Sequence, residues 1–274
     1  FTVNKGDKIA LLSRDPLAVT NFFNIITAET TADSGSYEWG STVTHAYLPQ
    51  ENSQYFNGQD NLMDWLRQFV PDHVKDVDEP FLRGFLGKML FSGEDVLKKT
   101  NVLSGGEKVR CMMSKTMLEE ANFLILDEPT NGLDPNGIID FRNIIKQLKN
   151  ELNKTIIISS HILAELELMV DSFIIIDQGK IVTDKKLETA IAPNQEQVIE
   201  VEFDRVVDVA VMAKLSNLVS RVNTHDHVWE LTFLANQDMR SVVFDFAHEN
   251  GLKTLQLNQK NKNLETLFRE VTKK

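Results

Sequence analysis

An α/β fold followed by a small α+β unit is the architecture this sequence predicts, and three stretches predict it. The first runs from Leu103 to Asp134, LSGGEKVRCMMSKTMLEEANFLILDEPTNGLD, where a Ser-Gly-Gly turn opens a helix and the apolar run Phe123–Leu126 ends in two carboxylates, Asp127 and Glu128. Glycines in such a turn let the backbone come close to a ligand, and the helix start offers unpaired N–H groups to an anion. A buried parallel strand with acids at its carboxyl end is where α/β folds keep Mg²⁺ and catalytic groups. The second stretch is the apolar run Thr155–Ser159, followed by His161. The third begins at Val198, where strand and helix patterns follow in the order βαββαβ, the ferredoxin-like arrangement.

With 274 residues the chain has room for one medium α/β domain and a small second one. No apolar run approaches the ~20 residues that a membrane-spanning helix needs, so any membrane role must come through a partner. No signal-peptide pattern is present. The chain starts at Phe1 inside what reads as a strand, which predicts truncation or processing. Cys111 is the lone cysteine and sits at helical spacing beside Met112 and Met113, which predicts a small core residue in a reducing compartment rather than a reactive thiol. A formal charge of −11 argues against broad nucleic-acid binding, direct DNA binding included, and leaves only docking to RNA through a local patch.

Taken in order, Phe1–Leu12 reads as strand, turn and strand, with a helix over about Val19–Ile26. Ser36–Trp39 and Val43–Leu48 read as further strands. From Leu62 to about Thr100 apolar residues recur at three and four, as in Leu62, Trp65, Leu66 and Phe69, which predicts a helical subdomain over about residues 61–102. Pro71 and Pro80 bracket an acidic loop within it. The aromatic residues there suit a core better than a base-stacking platform, and His73 reads as a solvated loop residue. Gly137–Asn150 is an amphipathic helix, and Ile162–Met169 another with Glu165 and Glu167 outward. Phe173–Ile176 and Ile181–Thr183 form a hairpin over Asp177-Gln178-Gly179-Lys180. A first domain therefore spans residues 1–190, with Ala190–Asn194 as a linker, and an accessory α+β domain spans 195–274. Its strands are Val198–Phe203, Leu218–Val222, His227–Phe233 and Leu252–Leu257. Its helices are about Val207–Leu215 and Met239–His248, with Leu264–Val271 closing the chain. His225 and His227 have no third ligand nearby, so a hairpin turn explains them better than a metal.

LSGGE, a hydrophobic strand ending in DE, NGLD, and SSH, in this order and spacing, resemble the ATP-binding cassette (ABC) ATPases, a P-loop NTPase family. The resemblance implies an ABC-type nucleotide-binding domain with a helical subdomain, ATP and Mg²⁺ as ligands, and a head-to-tail cassette dimer. In register with the family's phosphate-binding loop, G-x-x-x-x-G-K-[ST], the first glycine is Ser13, the second Ala18 and the lysine Val19. Only Thr20 fits, as the hydroxyl on Mg²⁺. Pro16 removes a further N–H. Each charge-assisted phosphate contact is worth roughly 1.5–3 kcal/mol, so this degenerate loop predicts weak nucleotide binding. The alternative is a plain strand–turn–helix with no ligand. The family's adenine-stacking aromatic lies on a strand upstream of Phe1, a second deficit.

The same resemblance implies roles for the remaining motifs. Gln50 would sense Mg²⁺ and the attacking water. Ser104, Gly105 and Gly106, with Glu107 behind them in the signature, would bind the γ-phosphate of ATP held by the opposite subunit. Asp127 would hold Mg²⁺, Glu128 would act as general base, Asp134 would lie at the dimer seam, and His161 would contact the γ-phosphate.

The likeness divides within LDEPTN. Residues 1–131, through EWGSTVTHAYLPQENSQYF and VLSGGEKVRCMMSK, resemble the second cassette of the ABC-F translation factors. Residues 132–274, through NGLDPNGI, ISSHILAELE and QLNQKNKNLETLFREVT, resemble the ATPase subunits of drug-export and gliding-motility ABC transporters. A fusion of two related cassettes is the expectation. The function it favours is an ABC ATPase subunit, cytoplasmic and peripheral at the inner face of the membrane, coupling ATP hydrolysis to a separate integral membrane subunit. The alternatives are an ABC-F cassette acting on the ribosome and a silent cassette that completes a partner's ATP site.

Overall fold

The computed structural model describes residues 1–191, 196–215, 219–225, 227–235, 238–260 and 263–272. The chain divides into two compact units, Phe1–Glu188 with Phe268–Lys274, and Thr189–Leu267.

In chain order the first unit has β1 (Lys8–Ser13), α1 (Pro16–Ile26), β2 (His45–Leu48), α2 (Leu62–Arg67), α3 (Glu79–Lys88), α4 (Gly105–Leu118), β3 (Phe123–Leu126), α5 (Pro135–Asn150), β4 (Thr155–Ile158), α6 (Leu163–Glu167), β5 (Ser172–Asp177) and β6 (Lys180–Lys186), with α7 (Leu187–Ile191) following. The strands form one sheet in the order β2-β3-β4-β1-β5-β6. All neighbours are parallel except the hairpin partners β5 and β6. The four central strands are buried on both faces, which is why their sequences are continuous apolar runs without alternation. Ile9, Leu11, Ile125, Ile157 and Ile174 meet Val19, Phe23 and Ile26 of α1 on one side. The hairpin turn has positive φ at Gln178 and Gly179, as its two-residue loop demands.

Register brings the chemistry to one edge. Leu48 pairs with Leu126, and Leu126 with Ile158. The next backbone bonds, Asp127 N–H to the Leu48 carbonyl (2.9 Å) and Ser159 N–H to the Leu126 carbonyl (2.9 Å), set Asp127 and Ser159 side by side at the carboxyl end of the sheet.

Several local expectations are corrected. Phe1–Asn4 and Ser36–Trp39 form no strands. Their aromatic residues pack instead: Phe1 lies against Phe22 with ring centroids 6.0 Å apart, and Trp39 stacks on His45 at 4.8 Å and donates from Nε1 to the Ile26 carbonyl. Strand-like composition without a backbone partner yields side-chain packing and no ladder. The helix expected from Val19 begins at Pro16, and Pro80 does not close its acidic loop but sits in the first turn of α3, where a missing N–H costs nothing. Glu165 does not face outward freely; it accepts from Arg142 Nε at 3.0 Å and ties α6 to α5. In the helical segment Trp65 is buried, stacks on Phe56 at 5.1 Å and donates to the Tyr55 carbonyl.

The second unit contains β7 (Glu196–Phe203), α8 (Val209–Met212), β8 (Val219–His225), β9 (Val228–Leu234), α9 (Arg240–Glu249) and β10 (Thr254–Lys260), and α10 (Leu264–Thr272) follows. Its sheet runs β10-β7-β9-β8 with every neighbour antiparallel, the ferredoxin-like order. Ile199, Val201, Phe203, Trp229, Leu231 and Phe233 alternate onto its buried face against Val243, Phe246 and Ala247 of α9. His225 pairs with Val228, so the two histidines flank a hairpin. Part of the expected linker, residues 192–194, and Leu218 at the start of the second strand lie outside the described residues.

Candidate functional site

Asp127 is 1% exposed, yet it carries a carboxylate; its survival there depends on its hydrogen bonds. Thr20 Oγ1 donates to Oδ2 at 2.7 Å, Tyr47 Oη donates to the same oxygen at 3.3 Å, and Ser159 Oγ donates to Oδ1 at 2.8 Å. Each donor comes from a different element. Thr20 lies on α1, Tyr47 on β2, and Ser159 just past β4. Burial of the Tyr47 ring, with the Asp127 carboxylate beside it, pushes that phenol well above its ordinary range, so it stays a donor.

Glu128 follows with φ at +47°, in the left-handed region where a residue with a side chain is strained. The turn is held by its own N–H, which donates to Ser159 Oγ at 2.8 Å. Its carboxylate then meets His161 twice, at 2.7 Å from Nδ1 and 3.2 Å from the backbone N–H. Glu128 is 11% exposed at the side chain and His161 61%, so the pair joins the interior to an open surface. Thr130 and Ser160 hydroxyls, 3.0 Å apart and buried, hold the two loops together below.

The loop between β1 and α1 is closed on itself. Asp15 is the N-cap of α1, accepting the Leu17 N–H at 3.0 Å on Oδ1. Asp15 N–H donates to Ser13 Oγ at 3.1 Å, and Ala18 N–H to the Asp15 carbonyl at 3.1 Å. Pro16 has no N–H to give. Val19, in register with the family's lysine, is 4% exposed and packs among Ile9, Phe23 and Ile125. Ala18 is half-buried.

The signature forms a second cluster. Ser104 caps α4 and Glu107 completes a capping box: Glu107 N–H donates to Ser104 Oγ at 3.3 Å, and Ser104 N–H to Glu107 Oε2 at 2.9 Å. Lys98 reaches both Glu107 and Asp95 at 2.8 Å. A side chain on Gly105 would stand 3.2 Å from the Gly132 carbonyl oxygen, and one on Gly106 3.8 Å from Gly137 Cα, so the glycines permit the signature turn to touch the loop after Asp127. Asp134 in that loop caps α5 through the Gly137 N–H at 3.0 Å. Gln50 is exposed just past β2.

Thr20, Asp127, Glu128 and His161 thus share one hydrogen-bonded group, while the Ser104–Glu107 capping box and the Asp134 cap are separate helix starts that approach each other at Gly105, Gly106, Gly132 and Gly137. Ser159, Tyr47 and Asp15 are functional candidates that motif reading missed. Only Asp15 had a signal, as an Asp-Pro pair at a helix start. As a donor set, the Thr20 hydroxyl and Asp127 carboxylate suit a hard, oxygen-seeking dication such as Mg²⁺, which takes one or two carboxylates beside phosphate oxygens.

Comparison with known proteins identifies the fold. Residues 1–131 match the ABC transporter family. The chain is 59% identical over 150 residues to the uncharacterized ABC transporter ATP-binding protein YkpA of Bacillus subtilis, an overlap of 52% of this chain and 27% of that protein. The chain therefore spans about a quarter of that relative's length, on the 27% overlap. A second Bacillus subtilis protein, the uncharacterized ABC transporter ATP-binding protein YhcH, is 24% identical over 285 residues, covering 99% of this chain and 89% of that one. Among solved structures, the dimeric ATP-binding cassette MJ0796 bound to ADP and Pi superposes with a TM-score of 0.57 at 16% identity, over 68% of this chain and 88% of that one. The chain carries an ABC transporter domain over residues 1–131 and has the fold of the ATP-binding cassette ATPases.

Proposed function

We propose that this chain is the ATP-binding subunit of a membrane transporter, hydrolysing Mg²⁺-ATP at a head-to-tail dimer interface and working at the cytoplasmic face of a separate membrane subunit. The observation that carries the reading is the Glu128–His161 pair, 2.7 Å apart beside the buried Asp127. Glu128 is the general base that orients and polarises the attacking water. His161 fixes that carboxylate through Nδ1 and leaves the rest of an exposed ring for the γ-phosphate. Thr20 and Asp127, with Gln50, are the residues that would hold Mg²⁺, which neutralises phosphate charge when bound. Ser104, Gly105 and Gly106 serve the ATP of the opposite subunit, and Asp134 lies at the seam. None of the helices among the described residues is long and apolar enough to cross a membrane, in keeping with a separate membrane subunit.

A second reading, a silent cassette lending its signature to a partner, is favoured by the closed β1–α1 loop. A second copy of this chain would bring the same closed loop, so under this reading the partner is a different cassette.

The test is ATP turnover by the full chain, by Glu128→Gln, and by a chain with Ser13→Gly, Pro16→Gly, Ala18→Gly and Val19→Lys. Turnover that falls on the order of 10²–10⁴-fold in Glu128→Gln supports the first reading. Turnover only in the loop-restored chain supports the second. A folded, restored chain that neither binds nor hydrolyses ATP sinks both. Co-sedimentation with ribosomes and not with membranes would move the chain to the translation-factor class.

A further inference from the structure

We infer that Asp15 is the residue that sets this site against phosphate: its carboxylate occupies the helix N-terminus that a triphosphate would use and holds the Leu17 N–H there. The inference rests on the nucleotide-binding reading above and deepens it.

The position of α1 is the first ground. This is the helix that brings Thr20 to Asp127 at 2.7 Å, so its N-terminus is the one beside the metal-ligand pair, where a phosphate chain would be received. In this chain that end already has an anion. Asp15 Oδ1 takes the Leu17 N–H at 3.0 Å, a charge-assisted bond at the positive pole of the helix.

Donor accounting is the second ground. Between Asp15 and Ala18, every backbone N–H is spent inside the loop, on Ser13 Oγ, Asp15 Oδ1 and the Asp15 carbonyl, and Pro16 supplies none. A phosphate arriving here must displace Asp15 from Leu17 and then tolerate its charge at close range. The missing glycines and lysine explain why phosphate gains little. Asp15 explains why it is actively opposed, and it does so through a fixed charge that a single substitution removes.

Asp15→Asn separates charge from structure. Asparagine caps as well as aspartate and is isosteric at an exposed position, so the helix should keep its melting temperature. Serine is a second uncharged cap, whereas Asp15→Glu keeps the charge. Binding of tripolyphosphate and of Mg²⁺-ATP to the full chain would be followed by calorimetry at low and high salt. Asp15→Asn and Asp15→Ser are expected to bind both about tenfold more tightly than the parent at low salt, with the gain shrinking at about 1 M salt, and Asp15→Glu is expected to gain nothing. Unchanged affinity in both uncharged variants, with melting temperatures intact, overturns the role of Asp15. If the loop-restored chain still binds ATP in that case, the nucleotide-binding reading stands without it. If neither the uncharged variants nor the restored chain binds, both fall. Micromolar binding by the parent, equal to that of Asp15→Asn, also overturns the inference.

Discussion

Ser159 carries the most connected hydroxyl in the site, and its removal gives the sharpest test of how the acids are held. It is 2% exposed, donates to Asp127 Oδ1 at 2.8 Å and accepts the Glu128 N–H at 2.8 Å. Ser159→Ala deletes a bond to a charged acceptor, worth roughly 1.5–3 kcal/mol, and leaves the Glu128 N–H without its partner, at a cost of roughly 1–3 kcal/mol. Asp127 keeps the Thr20 and Tyr47 hydroxyls, so it is not orphaned, and the total should sit near the lower half of that sum. A loss of about 2.5–4 kcal/mol is expected. Urea unfolding followed by tryptophan fluorescence would measure it, in a Trp229→Phe background so that Trp39 and Trp65 of the first unit report alone. The midpoint should fall with the slope unchanged. Pairing the change with Thr20→Val should give more than additive loss, because each hydroxyl compensates for the other on one buried carboxylate, which the double change leaves with Tyr47 alone. A shift under about 0.5 kcal/mol, or strict additivity, would refute the account of Asp127 as an anion stabilised by shared hydroxyls.

Further expectations follow from the same geometry. Burial pushes the Cys111 thiol far up, so it is protonated at any working pH; a thiol reagent at pH 8 should label the chain only after denaturation, and rapid labelling of the folded chain would contradict the packing. Trp229 Nε1 is buried and finds no acceptor among the described residues, so Trp229→Phe should cost less than about 1 kcal/mol by urea titration, the released N–H offsetting the lost volume. Glu107→Ala should cost about 1 kcal/mol through the capping box, while Glu107→Gln should retain most of it. Equal losses would mean that the Lys98 ion pair matters more than the cap.

Much of this molecule was legible one stretch at a time. Continuous apolar runs at Phe123–Leu126 and Thr155–Ile158 announce strands buried on both faces, because a strand covered on both sides has no solvent side on which to place polar residues. Alternation at Ile199, Val201 and Phe203 announces a sheet covered on one side only. The Ser104 and Glu107 spacing is a helix start in any context. These are local patterns with local causes; the resemblance to ATP-binding cassettes rests on LSGGE, a strand ending in DE, NGLD and SSH standing in that order.

Other features depended on what lies across space. The first residues and Ser36–Trp39 have strand composition, but pairing needs a neighbour, and the described structure supplies aromatic contacts instead. Motif register put Val19 at the place of a cation; the core claimed it, since one face of an amphipathic helix must be buried and Val19 shares that face with Phe23 and Ile26. Ser159 and Tyr47 carry no motif at all. They matter because β2, β3 and β4 end at one level, and a buried carboxylate there must find donors from whichever chains stand beside it. The closure of the β1–α1 loop is likewise a matter of where each N–H points. Sequence by itself determined most of the elements, because periodicity and caps act within a few residues, and through the order of its motifs the fold family and the acids. Tertiary structure decided which side chains share a hydrogen bond, because those partners lie on strands and helices far apart in the chain.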